Sequence, residues 1–271
     1  MHYPLSYCTN VHPCRSRHDL EKIITDEASS VRDQCGFDIG IGLWLPSVVI
    51  SEVVHDIDAT QSIANALDSQ GLQCYSLNAF PFGDFHSERV KENVYLPDWS
   101  DVRRLNYTRS CSKFLAEILS GEHEGSISTL PLAYKQANRP QGFIKTAIEQ
   151  FMQLARDLNA LHQDTGKMIR LAIEPEPFCI LETTLETISF FEMMWDVADK
   201  NGIGNIVREH IGVCYDVCHQ AVEFEDAVTA VRQMATAGVR INKVQISCAI
   251  ELDDPSDEKS RRALATFAEP R

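Results

Sequence analysis

One stretch of the chain decides its fold, and it reads Leu171-Ala172-Ile173-Glu174-Pro175-Glu176-Pro177. A short apolar run ends there in two carboxylates separated by one residue, and residues two apart on a strand face the same side. Pro175 lacks a backbone donor and has a fixed φ, which suits the end of a strand. We therefore predict a buried strand that carries two carboxylates into one cavity, where they repel each other unless a cation or proton lies between them. The alternative is an exposed strand end with solvated glutamates.

Similar apolar runs recur along the whole chain and alternate with helix-like segments. Strands are predicted over 5–11, 38–45, 73–79, 126–132, 169–174, 211–216 and 243–247. Helices are predicted over 102–119, 143–161 and 226–237, and the capping-box sequence Thr183-Thr184-Leu185-Glu186 opens another. Such a strict alternation implies parallel strands joined by right-handed crossovers.

Two architectures satisfy this alternation, a doubly wound sheet and a closed barrel. No GxGxxG motif follows the first strand, so a dinucleotide-binding sheet has no support. Polar residues instead end many of the strands, among them Asn10, Asn78, Glu174, Asp216 and Gln245. Because barrels carry their active sites on the face where the strands end, we predict an α/β protein of the TIM-type (β/α) barrel class. We expect residues 1–271 to form a single domain.

The predicted strands are one fewer than such a barrel needs. Eight parallel strands close a TIM barrel, and after Gln245 the chain offers only a helix, predicted over 255–267. Seven strands would leave the first and last edges of the sheet unpaired. We therefore expect a barrel that is truncated after its seventh strand and the helix that follows.

Two further motifs place ligand-type side chains at strand ends. In Gly212-Val213-Cys214-Tyr215-Asp216-Val217-Cys218-His219 an apolar strand ends in Asp216, and His219 follows three residues later. We expect this spacing to bring carboxylate and imidazole to one ion; the alternative is a helix-capping Asp216 and a packed His219. In Lys243-Val244-Gln245-Ile246-Ser247, Gln245 is predicted to face inward, where its carbonyl can bind a metal or a substrate hydroxyl. A structural hydrogen bond is the alternative for this residue.

This mixture of side chains favours metal chemistry over other mechanisms. Carboxylate, imidazole and amide ligands together suit Mn²⁺, Mg²⁺, Co²⁺ or Zn²⁺. Such an ion polarises a hydroxy-carbonyl compound or activates water, and a second carboxylate nearby can move a proton. The sequence contains no GxSxG, no P-loop and no HExxH motif, and for want of motifs neither a serine-nucleophile nor a cysteine-nucleophile mechanism has support.

Five residues from earlier strands and loops are expected to contact a substrate. Asn10 and His12 end the first strand, although a turn role suits His12 equally well, and Asn78 ends the third. The aromatic loop FPFGDFH ends in His86, and we expect it to cover a ligand with His86 pointing inward. Lys91 follows and is expected to neutralise an anionic group; the alternative is a solvated loop face.

The charge and composition of the chain limit the kinds of partner that it is expected to bind. The net charge is −14, and the only adjacent basic pairs are Arg103-Arg104 and Arg261-Arg262, so no nucleic-acid partner is expected. No apolar run reaches the ~18 residues of a membrane span, and the N-terminus lacks a signal-peptide pattern. We therefore expect no membrane insertion, a small-molecule partner and a cytoplasmic location. The nine widely spaced cysteines include no CxxC and are expected to be reduced and mostly buried.

The ends of strands five to seven also resemble a known superfamily. Glu on strand five, Asp-x-x-His on strand six and a polar residue on strand seven resemble the xylose-isomerase-like barrels, which include sugar isomerases and epimerases, hydroxypyruvate isomerase and endonuclease IV. From residue 5 to 271 the chain looks like the EboE family, the metabolite traffic proteins of the ebo gene cluster. The stretches that carry this likeness are YCTNVHP, NAFPFGDFH, RVKENVYLPDW, GSISTLPLAYK, LAIEPEP with LETT, VCYDVCHQAVEFED and KVQIS.

The resemblance implies a metal-site barrel that helps to make or export a secondary metabolite, alongside other ebo-cluster proteins. By position, Glu174, Asp216, His219 and Gln245 match the superfamily's metal-site strands. From the residues themselves we expect Glu174 and Glu176 to be the catalytic pair, with Glu176 as acid or base. Members of the family continue past this chain's last residue with a His-rich strand and a final glutamate. The resemblance therefore implies that the closing ligands are missing here.

Three functional hypotheses follow. The first is a metal-dependent isomerase or epimerase of a small hydroxy-carbonyl compound. The second is a non-enzymatic component that binds and passes on a metabolite. The third is an endonuclease-IV-like phosphodiesterase, which the acidic charge and the lack of basic clusters disfavour.

Overall fold

The computed structural model describes residues 5–85 and 91–267, and its centre is a parallel sheet of seven strands in sequence order. The strands are β1 (Ser6–Cys8), β2 (Gly40–Trp44), β3 (Cys74–Asn78), β4 (Gly125–Thr129), β5 (Ile169–Ile173), β6 (Ile211–Asp216) and β7 (Ile241–Gln245). Every neighbouring pair is parallel, so all seven predicted strands are confirmed. The strand predicted over 5–11 is shorter than expected because Thr9–Val11 turns into a 3-10 helix.

Helices join consecutive strands and cover the outside of the sheet. They are α1 (Arg17–Lys22), α2 (Ser29–Cys35), α3 (Ser47–Val54), α4 (Ile57–Ser69), α5 (Val102–Ile118), α6 (Phe143–Thr165), α7 (Thr184–Lys200), α8 (Gly204–His210), α9 (Val217–Val222), α10 (Ala227–Thr236) and α11 (Glu258–Ala265). A π-helical segment, Ile23–Ala28, joins α1 to α2, and a second 3-10 helix spans Lys91–Tyr95. The predicted capping box is present at the start of α7, where the Thr183 side chain accepts from the backbone of Glu186 and the Glu186 side chain accepts in return.

The sheet is open and strongly curled, so that it forms an incomplete barrel. β1 and β7 are its two edges, and no strand joins them within residues 5–85 and 91–267. Lys243 on β7 shows the curl, because its Nζ lies 3.0 Å from Ser128 Oγ on β4 and 3.5 Å from the Leu77 carbonyl oxygen on β3. The prediction of a TIM-type arrangement with seven strands is therefore confirmed.

The main core lies between the outer face of the sheet and the helices. Side chains that point outward from the central strands are large, apolar and fully buried, as at Leu43, Leu77, Ile127, Leu171 and Val213. The inner face carries small residues in register, since Gly42 pairs with Ser76, Ser128 with Ala172, and Ala172 with Gly212. Complete TIM barrels usually fill this space with bulky branched side chains, so the small residues leave room here for polar groups.

The last helix differs from its prediction in length. The side chain of Asp254 accepts from the backbone and hydroxyl of Ser256, and the helix begins only after Asp257, whose side chain accepts from Ser260. The predicted helix over 255–267 is therefore reduced to Glu258–Ala265, and none of its residues is buried.

Two further expectations from the sequence concern the cysteines and membrane insertion. All nine cysteines are free thiols, and five of them are buried: Cys14, Cys74, Cys111, Cys179 and Cys214. Burial raises the pKa of Cys74 and of Cys111 to about 12. Among the helices of the described residues, none combines the length and apolar character that a membrane span requires. The cytoplasmic location stays a prediction from the sequence.

Candidate metal centre

Three ligand-type side chains meet where β5 and β6 end. Glu174, Asp216 and His219 each offer one ligand atom, and these atoms all lie within 4.8 Å of one another. Glu174 directly follows β5, where its backbone N–H donates to the Thr129 carbonyl at 3.0 Å. Asp216 is the last residue of β6, and His219 lies in the first turn of α9. The folded chain thus brings these three predicted ligands together, and their role in binding a metal stays a prediction.

Asp216 is oriented by three hydrogen bonds. Its Oδ1 accepts from the backbone N–H of His219 at 3.0 Å and from the Ser247 hydroxyl at 2.7 Å. Its Oδ2 accepts from Nε2 of Gln245 at 3.2 Å. Asp216 therefore caps α9, as one of the two alternatives from the sequence expected, and its carboxylate also lies in the cluster, so that the shared ion stays a prediction. Gln245 presents its amide nitrogen to Asp216, which leaves its carbonyl oxygen available as a further ligand.

His219 lies between a backbone carbonyl and the two carboxylates. Its Nδ1 is 3.2 Å from the Pro175 carbonyl oxygen, 3.7 Å from Glu174 Oε1 and 3.9 Å from Asp216 Oδ1. If Nδ1 carries the proton, it is donated to the Pro175 carbonyl and only Nε2 has a lone pair to offer; in the other tautomer Nδ1, which lies nearest the carboxylates, offers its own lone pair. The His219 side chain is 23% exposed, so a ligand that arrives from solvent can reach the imidazole.

Glu174 is the most deeply buried member of the cluster, and its burial destabilises the charged form of the carboxylate. The residue is buried, and its Oε2 has no hydrogen-bond partner among the described residues. Burial above all raises the pKa of Glu174 to about 8; the ammonium of Lys243 opposes this rise, and the carboxylates of Asp216 and Glu176 add to it. An unpartnered buried oxygen beside a second carboxylate and an imidazole fits a divalent cation, because the ion would offset both negative charges.

Glu176 stands beside the cluster as a second, less buried carboxylate. Its Oε1 accepts from the Tyr95 hydroxyl at 3.0 Å, whereas its Oε2 is buried and has no hydrogen-bond partner within the described chain. Burial above all raises the pKa of Glu176, while His219 and the Tyr95 hydrogen bond lower it. The two glutamates of the strand-five motif are close enough for the charge of Glu176 to raise the pKa of Glu174, and that they serve one cavity stays a prediction.

The predicted substrate contacts near β1 and β3 have structural partners. Asn78 is buried at the end of β3, where its Oδ1 accepts from the backbone of Phe80 at 2.9 Å and from Ser128 Oγ at 3.4 Å. Asn10 Oδ1 accepts from the Cys8 thiol at 2.9 Å. The carbonyl of Asn78 thus accepts two bonds, which leaves its amide nitrogen for a substrate, whereas Asn10 keeps both its amide nitrogen and one acceptor site.

The remaining substrate candidates lie apart from the cluster or outside the described residues. Nε2 of His12 is 2.8 Å from the Tyr7 hydroxyl, and the strand alternation places Tyr7 on the outer face of the sheet. The structure thus joins His12 to Tyr7 and not to the cluster at Glu174. His86 and the side chain of Lys91 lie outside the described residues, so their predicted contacts stay predictions.

Sequence reasoning missed three residues of this centre, Lys243, Ser247 and Tyr95. Lys243, Gln245 and Ser247 are spaced two apart, and the period of a strand places all three on one face. That signal was available for Lys243 and Ser247. Tyr95 comes from the loop between β3 and α5, where no periodicity predicts which side chain turns inward.

Comparisons with known proteins support the fold. Neither a protein-family model nor a curated protein matches this chain. The chain is similar to the crystal structure of an AP endonuclease, family 2, from Brucella melitensis, with a TM-score of 0.56, 16% identity, and coverage of 94% of this chain and 83% of that one. It is also similar to L-ribulose 3-epimerase, with a TM-score of 0.56, 13% identity, and coverage of 98% and 87% respectively.

A third similar structure was solved with a metal. It is a xylose isomerase-like TIM barrel protein from Mycobacterium smegmatis in complex with magnesium, with a TM-score of 0.53, 11% identity, and coverage of 80% of this chain and 65% of that one. Identities this low show the fold alone. The fold of this chain is accordingly that of the xylose-isomerase-like TIM barrels, with an incomplete barrel.

Proposed function

We propose that this chain is a divalent-metal-dependent isomerase or epimerase of a small hydroxy-carbonyl compound. One observation carries the proposal: ligand atoms of Glu174, Asp216 and His219 lie within 4.8 Å of one another, and one buried oxygen of Glu174 has no partner in the described residues. The sequence likeness to the EboE family adds that the compound belongs to the making or export of a secondary metabolite, together with other ebo-cluster proteins.

In this proposal Glu174, Asp216, His219 and Gln245 hold the ion, which is Mn²⁺, Mg²⁺, Co²⁺ or Zn²⁺. The bound ion would polarise the carbonyl and hydroxyl oxygens of the substrate and so acidify the carbon-bound proton between them. Glu176 would then remove and return that proton, because one of its oxygens has no hydrogen-bond partner in the described residues and its charge acts on Glu174.

Two of the similar structures support this choice of chemistry. One is itself an epimerase of a ketose, and another contains magnesium on the same fold. Several positions on the inner face of the sheet carry small residues, among them Gly42, Ala172 and Gly212, which fits a site for a small molecule. Because an AP endonuclease of family 2 has a similar fold, phosphodiester hydrolysis is a second candidate function. The net charge of −14 opposes binding to a phosphate backbone.

A metal titration followed by proton exchange tests the proposal. We expect the purified chain to hold roughly one Mn²⁺ or Mg²⁺ ion after dialysis, and Glu174→Gln to lose most of it. Glu192→Gln is the matched control, because Glu192 is an exposed residue of α7. Equal metal content in Glu174→Gln and wild type would show that the site assignment is wrong.

Activity is then measured as exchange of carbon-bound protons of dihydroxyacetone with D₂O, followed by NMR. We expect exchange in the metal-loaded chain and its loss in Glu176→Gln. Metal binding without exchange would favour the second hypothesis, a component that binds a metabolite without turning it over. Salt-sensitive binding to DNA would favour the phosphodiesterase.

A further inference from the structure

Tyr95 brings the loop between β3 and α5 into the candidate metal centre. It is the last residue of the 3-10 helix Lys91–Tyr95, and its hydroxyl donates to Glu176 Oε1 at 3.0 Å. Burial above all raises the pKa of Tyr95, and the carboxylate of Glu176 raises it further. The phenol therefore keeps its proton and acts as a donor to Glu176.

The ring of Tyr95 is held on two sides. It stacks on Tyr134, which follows β4, with ring centroids 5.3 Å apart and planes at 19°. Phe80, which follows β3, meets it edge-on with centroids 5.7 Å apart. Aromatic contacts of this kind add to the stabilisation that burial gives, so the two rings hold the phenol beside the carboxylate.

The loop that carries Tyr95 is fastened at its base by Arg104. This arginine is fully buried on α5, and its Nε donates to the Pro97 carbonyl at 2.8 Å. Its Nη1 donates to the carbonyls of Ala79 at 2.7 Å and Phe80 at 2.9 Å. One guanidinium thus joins the segment that leaves β3 to the segment that follows Tyr95, which fixes where the hydroxyl lies.

This contact makes the two oxygens of Glu176 unequal. Oε1 accepts the Tyr95 hydroxyl, while Oε2 is buried without a partner in the described residues. The geometry points to Tyr95 as a positioning residue that fixes the Glu176 carboxylate, so that Oε2 and not Oε1 exchanges the substrate proton. This inference rests on the proposed function and adds to it a residue from outside the strand ends.

The full chain labelled with ¹³C at the glutamate carboxyls provides a direct test. The Glu176 resonance is assigned by its loss in Glu176→Gln. We expect Tyr95→Phe to shift that resonance, because the ring stays and only the donated hydrogen bond is lost. Tyr75→Phe is the matched control: Tyr75 donates its hydroxyl to Gln73 on the outside of the sheet, so its loss should leave the Glu176 resonance in place.

Exchange kinetics give the second readout. We expect Tyr95→Phe to slow proton exchange of dihydroxyacetone about 10-fold, at unchanged metal content and unchanged thermal midpoint, because partners of this kind typically change activity 10–100-fold. An unshifted Glu176 resonance, or an exchange rate equal to wild type, overturns the inference. A chain that binds metal and exchanges no proton overturns the proposed function instead. The two failures are distinct because the carboxyl resonance is read without substrate.

Discussion

Replacing Glu174 by Gln should remove a large part of the pH dependence of folding stability in the metal-free protein. Glu174 is buried with one oxygen unpartnered, and its pKa is raised from 4.5 to about 8. Between those two values the native chain holds a proton that the unfolded chain has already released. The contribution of this group to stability is therefore fully present below pH 4.5 and is lost as the pH rises through about 8.

The size of the effect follows from the same shift. Each pKa unit corresponds to 1.36 kcal/mol, so a rise from 4.5 to about 8 corresponds to about 5 kcal/mol of unfolding free energy lost across that window. Gln has nearly the same shape and carries no charge. Relative to wild type, Glu174→Gln should therefore gain about 5 kcal/mol between the two ends of the window.

Urea unfolding at several pH values, with a chelator present, measures this difference. Titrating groups that do not interact with Glu174 contribute equally to both proteins and cancel in the comparison, whereas Lys243, Asp216 and Glu176 are coupled to it. Glu192→Gln provides a control for an exposed glutamate. Addition of Mn²⁺ should flatten the wild-type curve, because the ion takes the place of the proton. A difference between wild type and Glu174→Gln that does not change with pH would refute the argument that a buried, ionised Glu174 destabilises the metal-free fold.

Three further substitutions have expected outcomes. Ser247→Ala removes the 2.7 Å hydrogen bond to Asp216 and should weaken Mn²⁺ binding about 10-fold by calorimetric titration, as loss of an orienting partner typically does. Arg104→Met leaves three buried carbonyls without a donor and should lower the unfolding free energy in urea by about 3–5 kcal/mol. Gly212→Ala would place a Cβ atom 2.4 Å from the Arg240 carbonyl oxygen, and the backbone shift that it forces should lower the unfolding free energy by about 1–3 kcal/mol.

Each of these three substitutions has a control variant that changes a similar residue and should have little effect. Ser247→Thr retains the hydroxyl and should bind the ion nearly as wild type does. Arg103→Met removes an exposed arginine that pairs with Asp101, so the urea unfolding midpoint should stay close to that of wild type. Gly83→Ala adds a methyl group where no atom lies within 4 Å. Equal destabilisation of a variant and its control would contradict the structural reason given for that variant.

The strand ends were predictable because a strand combines two strong constraints. Its apolar run fixes where it lies, and its period of two fixes which side chains share a face. Glu174 and Asp216 each follow such a run directly, so their meeting at one edge follows from parallel order alone. Gln245 obeys the same rule on β7, and the neighbours Lys243 and Ser247 would have been found by extending it.

The loop between β3 and α5 was not predictable in the same way. Arg103 and Arg104 read as one basic pair in the sequence, yet Arg103 is exposed and Arg104 is fully buried. Successive residues on a helix point about 100° apart, so adjacent charges can have opposite environments. Tyr95 reaches the centre only because the loop is fastened by long-range bonds to carbonyls, and no local pattern encodes the path of such a loop.

The buried thiols provide a way to follow the local unfolding of this protein. Four of them mark different parts of the barrel, with Cys74 in β3, Cys111 in α5, Cys179 after β5 and Cys214 in β6. Burial raises the pKa of each, and only a thiolate reacts with alkylating reagents. Each thiol therefore becomes reactive only when its own part of the chain opens to water. Labelling rates read by mass spectrometry would therefore report separately on the opening of β3, of α5, of the segment after β5 and of β6, with residues that the chain already contains.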